Sequence, residues 1–130
     1  MKFIAHRGQW LGKNVDHSAQ ENSPELIDLA IRMNFEVEVD IWHLDGKLWL
    51  GHDGPEFPTS YKFLCERYKH LWIHAKNQYA FQYLYDQWMK LNMFFHDTDK
   101  MVLTTKGFIW HYPTEFTSNW NYNSIVVLPE

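Results

Sequence analysis

Residues 36–53 read EVEVDIWHLDGKLWLGHD, and the order of polar and apolar side chains in this stretch organises the rest of the chain. Glu36, Glu38 and Asp40 alternate with Val37, Val39 and Ile41, which is the period-two pattern of a strand with one acidic and one apolar face. LDG at 44–46 turns the chain, and KLWLGHD at 47–53 reads as another strand or extended segment. Carboxylates two residues apart on a strand stand roughly 6.6 Å apart along its axis. Such a row is either a solvated face or a set of hard oxygen ligands for a divalent ion, and the neighbouring segments must decide between the two.

Upstream, KFIAHRG at 2–8 reads as a short strand entering a glycine turn, and residues 11–22 as a polar loop. Ser23 is a good N-cap and Pro24 suits the first helical position, where its missing N–H has no intrahelical partner anyway. Leu26, Leu29, Ala30 and Met33 then recur with helical spacing and predict an apolar stripe. Downstream, the segment GPEFPTS at 54–60 reads as a proline-rich loop, and Tyr61, Leu64, Cys65 and Tyr68 mark a second helix. LWIHAKN at 71–77 is a strand with Trp72, His74 and Lys76 on one face, and Phe81, Leu84, Tyr85 and Trp88 mark a third helix. Four further strand candidates follow at 93–97, 101–105, 108–112 and 124–129, with no convincing helix among them. The order of elements favours a parallel α/β sheet with helices outside.

At 130 residues the chain is expected to form one domain, 1–130. Hydrophobic content of 45 % and aromatic content of 18 % are ample for a core, which excludes a disordered chain. The net charge is -4 and the basic residues are dispersed, which argues against nucleic acid or an anionic membrane as partner and for a small molecule. No apolar run approaches the roughly 20 residues that span a bilayer. The single Cys65 cannot form an internal disulfide, and the start MKFIAHRGQW lacks a signal-peptide pattern, so a cytoplasmic location is expected.

Several short pieces carry chemistry. His6 and Arg7 end the first strand: imidazole moves protons near neutral pH, and the planar guanidinium binds phosphate through two parallel hydrogen bonds. His52 follows a strand and stands beside Asp53, which could fix its tautomer or cap the next turn. A lysine on the inner side of a strand is costly without a partner, so Lys76 is expected either in solvent or against the carboxylates of the acidic strand. Each piece alone is as well explained by ordinary surface or core residues.

Taken in order, HRG (6–8), ENS (21–23), EVD (38–40), HD (52–53) and HAK (74–76) resemble the glycerophosphodiester phosphodiesterase family over residues 1 to about 80. The resemblance implies a TIM barrel of the phospholipase-C-like type and metal-dependent hydrolysis of glycerophosphodiesters, commonly with Mg2+ or Ca2+. It implies His6 and His52 as the acid and base, Arg7 and Lys76 as phosphate ligands, and Glu38 and Asp40 as metal ligands, with Glu21 and Asn22 lining the site. The family usually has a glutamate ligand where this chain has His74, a neutral nitrogen that shifts preference toward Mn2+ or Zn2+; Glu36 is a candidate to compensate. A (β/α)8 barrel takes roughly 250 residues, so the expectation is a reduced or incomplete barrel with mostly parallel strands, and an open sheet edge suggests a homodimer.

Two rival readings accompany the hydrolase. One is a non-catalytic phosphate- or sugar-phosphate-binding relative using Trp10, Trp42, Trp49 and Trp110 as apolar surfaces, although core packing explains those tryptophans as well. The other is a cyclising phosphodiester lyase on the same scaffold. His96, Asp97 and Asp99 could form a second metal cluster, more simply read as a strand end entering a polar turn, and His111 is read as structural.

Overall fold

The computed structural model describes residues 3–10, 20–87, 90–96, 98, 101–111 and 124–126. The acidic stretch forms the central strand of a six-stranded mixed sheet. In chain order the described elements are β1 (Ile4–His6), α1 (Pro24–Arg32), β2 (Glu36–Leu44), β3 (Lys47–Leu50), β4 (Phe57–Thr59), α2 (Tyr61–Glu66), β5 (Leu71–Ala75), α3 (Gln78–Gln87), β6 (Met93–Phe94), β7 (Met101–Leu103), β8 (Ile109–His111) and β9 (Ser124–Val126).

Strand β2 organises the sheet because it is long enough for three neighbours. On one side it pairs parallel with β5, and β5 pairs parallel with β6. On the other side its first half pairs parallel with β1, with His6 opposite Glu38, and its second half pairs antiparallel with β3, with Ile41 opposite Leu50. Asp45 and Gly46, at φ +50° and +72°, make the two-residue turn between β2 and β3, the left-handed pair that Asp-Gly adopts readily. β4 then pairs antiparallel with β3 and forms that edge.

The helices lie on one face of this sheet. Val37, Val39, Ile41, Ile73 and Ala75 from the strands pack with Ile27 and Ala30 of α1, Leu64 of α2, and Ala80 and Leu84 of α3 in the main core. Helix α1 starts at the expected cap: the Ser23 side chain accepts from the Leu26 N–H, and Pro24 is the first helical residue. Removing this buried cap by Ser23→Ala lowers stability by about 1 kcal/mol in chemical denaturation. The helix ends with Asn34 in the left-handed region, its N–H donating to the Ile31 carbonyl while Phe35 N–H donates to Ala30. Arg67, just after α2, grips Asp28 of α1 with Nε and Nη2 at 2.6 and 3.0 Å and ties the two helices together.

The opposite face carries the even-numbered residues of β2 and β5, and a second, three-stranded sheet of order β7-β8-β9 covers part of it. Trp110 of β8 stacks on Phe94 at 4.9 Å and lies 6.0 Å from Trp72, while Phe108 meets Trp72 edge-on at 5.0 Å. The layers are therefore helices, mixed sheet, small sheet.

This arrangement overturns the expectation of a reduced or incomplete TIM-type barrel with mostly parallel strands: the sheet is mixed and open, not a ring of parallel β/α units. After β2 the chain turns back as the antiparallel hairpin partner of its own strand, so two of the five pairings in the large sheet are antiparallel. The sheet stays open from β4 to β6 among the described residues. The side that a barrel would enclose is filled by Trp72, Phe94 and Trp110. Two smaller expectations are corrected as well. Leu29 and Met33 are exposed, and the buried face of α1 is Leu26, Ile27 and Ala30, because apolar residues surround this helix and their spacing alone selects the wrong stripe. Residues 57–59, read as loop, form β4, which tolerates Pro58 because an edge strand does not need every N–H. Trp88 lies outside the described residues.

Candidate active site

The site forms where β1 and β3, running in opposite directions, both end alongside β2. Both neighbouring chains leave the edge of β2 near Asp40: β1 ends at His6 opposite Glu38, and beyond β3 the Gly51 N–H donates to the Asp40 carbonyl at 3.2 Å. Arg7 and His52 are thereby delivered to the same gap from opposite directions. From the other side β5 places His74 directly opposite Asp40, and Lys76 follows with its N–H donating to the Ile41 carbonyl.

Glu38 and Asp40 are buried side by side, each 1 % exposed. Asp40 is the hub. Its Oδ2 accepts from Asn22 Nδ2 at 3.0 Å and from His52 Nδ1 at 3.2 Å, while its backbone N–H donates to Asn22 Oδ1 at 2.9 Å. Its Oδ1 lies 2.9 Å from His74 Nδ1 and 3.6 Å from Lys76 Nζ, yet accepts no aligned hydrogen bond. Glu38 Oε2 accepts from the Arg7 backbone N–H at 3.2 Å and lies 3.7 Å from His6 Nε2, and Oε1 is 3.8 Å from His74 Nδ1.

Arg7 sits at φ +53°, a conformation that turns its backbone N–H toward Glu38. Its guanidinium donates from Nη1 to Glu21 Oε2 at 3.1 Å and from Nη2 to His52 Nε2 at 3.2 Å. A guanidinium has only donors, so His52 Nε2 is the acceptor and its Nδ1–H is the proton donated to Asp40. In this arrangement the Nε2 lone pair of His52 faces Arg7.

The two carboxylates are driven apart electrostatically. Burial, and then the charge of Asp40, push the Glu38 carboxyl well above its ordinary value, more than the Arg7 N–H and the nearby cations pull it down. Burial would also raise Asp40, but hydrogen bonding from His52 and the close approach of His74 outweigh it and hold that carboxyl far below the usual range. Burial lowers the His74 imidazole against the opposing pull of Asp40, which keeps it neutral and available as a nitrogen ligand.

These groups suit a divalent cation. One donor atom each from Glu38, Asp40 and His74 lies within 4.8 Å of the other two. Two buried carboxylates repel, and Asp40 Oδ1 is buried without a hydrogen bond, so an ion there relieves both costs. The His74 ring is fixed by flat stacking on Phe94 at 4.9 Å and on His96 at 4.5 Å.

The structure brings His6, Arg7, Glu38, Asp40, His52, His74 and Lys76 together, with Glu21 and Asn22 bracing Arg7 and Asp40. Glu36 is not part of this group: its Oε2 accepts from Trp72 Nε1 at 2.6 Å, lower on the same face. Nor is Asp53 what fixes the His52 tautomer, since Asp40 does so and the Asp53 side chain is almost wholly exposed. His96 belongs to the aromatic stack, while Asp97 and Asp99 lie outside the described residues. Trp110 is core, Trp10 stacks on Phe35, and Trp42 donates from Nε1 to the Gly51 carbonyl. Sequence reasoning missed the pair of hydrogen bonds between Asn22 and Asp40, for which no local pattern exists. It also missed the stacking of Phe94 and His96 on His74, which alternation along MFFHD could have suggested.

No family model, no curated protein and no solved structure matches this chain. Among the described residues no helix is long and apolar enough to cross a membrane.

Proposed function

We propose that the chain is a metal-dependent phosphodiesterase acting on a glycerophosphodiester-like substrate, in the manner of the family that its motifs resemble. The observation that supports this reading is the meeting of three imidazoles, a guanidinium and an ammonium with the buried carboxylates of Glu38 and Asp40, drawn from four separate stretches of sequence. A core or surface role for these residues gives no reason for them to converge.

In the proposed reaction the substrate phosphate takes Arg7 away from His52, exposing the Nε2 lone pair. His52, steadied by Asp40, removes a proton from the attacking water; the new P–O bond forms as the bond to the departing alcohol breaks. His6 donates a proton to that leaving alkoxide, so the products are a phosphomonoester and a free alcohol. Arg7 and Lys76 offset charge on the non-bridging oxygens. A divalent ion held by Glu38, Asp40 and His74 would add Lewis-acid stabilisation of the same charge. Both histidines are partly open to solvent, His6 by 28 % and His52 by 36 %, as a site that exchanges substrate requires.

The test is a panel of glycerophosphodiesters with Mg2+, Ca2+, Mn2+ or Zn2+, followed by product analysis. The expected outcome is phosphomonoester release that chelator abolishes and that His6→Ala lowers about 10²- to 10⁴-fold. Cyclic phosphate as the final product shows a lyase instead, and silence across the panel overturns the enzyme reading.

A further inference from the structure

We propose that His74 makes this a site for a divalent transition ion, of the Mn2+ to Zn2+ range, in preference to Mg2+ and Ca2+; the inference deepens the metal-dependent reading above and rests on it. Ligands of one ion with bonds of about 2.1 Å stand about 3 to 3.5 Å apart. His74 Nδ1 is 2.9 Å from Asp40 Oδ1 and 3.8 Å from Glu38 Oε1, so small adjustments place all three on one centre. The imidazole cannot easily swing aside, because Phe94 and His96 stack on it with interplanar angles of 10° and 13°.

The oxygens are equally committed. Asp40 Oδ2 is used by Asn22 and His52, which leaves Oδ1, the oxygen beside His74 Nδ1, to ligate. Hard ions favour oxygen throughout the shell, six to eight ligands for Ca2+ and an octahedron with several waters for Mg2+, whereas one of the three protein donors here is nitrogen. Two other acidic side chains of this region are engaged, Glu36 by Trp72 and Glu21 by Arg7 and Gln9. A set of two carboxylates and one imidazole suits Mn2+, Co2+ or Zn2+, for which nitrogen ligation is favourable.

The experiment uses the full chain stripped with chelator and then titrated with each metal alone by calorimetry, with pulsed EPR of the Mn2+-loaded protein. Wild type is expected to bind Mn2+ and Co2+ at least about tenfold more tightly than Mg2+ or Ca2+, and to show nitrogen hyperfine coupling. That coupling disappears in His74→Gln. His74→Glu, which supplies a third oxygen ligand, narrows the Mn2+-over-Mg2+ affinity ratio by about tenfold or more. Equal affinities in wild type, absent coupling, or coupling that persists in His74→Gln overturns the inference. The outcomes separate from the enzyme reading: His74-dependent binding without diester cleavage keeps this inference and removes that one, whereas cleavage with an unchanged ion preference in His74→Glu does the reverse.

Discussion

Gly51→Ala is expected to lower stability by about 3 kcal/mol and to reduce the proposed diesterase activity about 100-fold. Gly51 has φ +151°, outside the range that a residue with a Cβ adopts without strain, and a Cβ there would sit 1.9 Å from the Gly54 carbonyl oxygen. The neighbour is backbone, so no side chain can move to make room. The same residue ties the site together: its N–H donates to the Asp40 carbonyl at 3.2 Å and its carbonyl accepts from Trp42 Nε1 at 2.7 Å. Displacing it shifts His52, the next residue, relative to Asp40 and Arg7, and misplacement by about 1 Å is enough for a 100-fold loss. Gly54→Ala is the control, since a Cβ there meets nothing within 4 Å, and its effect should stay within about 0.5 kcal/mol. Urea denaturation with a parallel activity assay decides the matter: a Gly51→Ala protein as stable and active as the Gly54→Ala control shows that the tight loop does not position His52.

How much of this was legible beforehand depends on the range of the interactions involved. The alternation from Glu36 to Trp42, the Asp45-Gly46 turn and the Ser23-Pro24 helix start are local, and each appears where the local pattern puts it. The strand order of the sheet is not local. Nothing in KLWLGHD says that this strand will take the half of β2 left uncovered by the three-residue β1, yet that pairing turns the chain back and ends the parallel order. The covering sheet β7-β8-β9 is likewise a matter of Trp110 finding Trp72 and Phe94 across long sequence separations. Family-like motifs therefore led to a barrel that this chain does not build.

The candidate site was more legible than the architecture, for a physical reason. Its residues lie at strand ends, and the relative height of β1, β2 and β5 is set by parallel register rather than by whether the sheet later closes. Same-face alternation put His74 and Lys76 beside Glu38 and Asp40 as soon as β2 and β5 became neighbours. What stayed hidden was which atoms pair. Asn22 is itself in the left-handed region and meets Asp40 across 18 positions of sequence, and Arg7 is shared among Glu21, His52 and Asp40, arrangements that only three-dimensional contact defines.

Glu38→Gln should separate stability from function more sharply than any other change in the site. The Glu38 side chain is 2 % exposed and stands beside a second buried carboxylate; burial and the charge of Asp40 act against its ionised form more than the Arg7 N–H and the charges of Arg7 and Lys76 support it. A buried charge so placed costs desolvation without full compensation, and a neutral isostere removes that cost. Glutamine keeps an oxygen to accept the Arg7 N–H, so the turn after β1 survives. The metal-free variant is therefore expected to be as stable as wild type or up to about 1 kcal/mol more so, while losing one of two anionic ligands and about 100-fold or more in metal affinity and in turnover. Thermal unfolding of metal-free protein, with metal titration on the same samples, reads both quantities. A loss of more than about 2 kcal/mol of stability with unchanged metal affinity assigns the Glu38 carboxylate a structural role. The expected opposite, a sturdier fold that no longer holds the ion, identifies the paired carboxylates as a strain kept for binding.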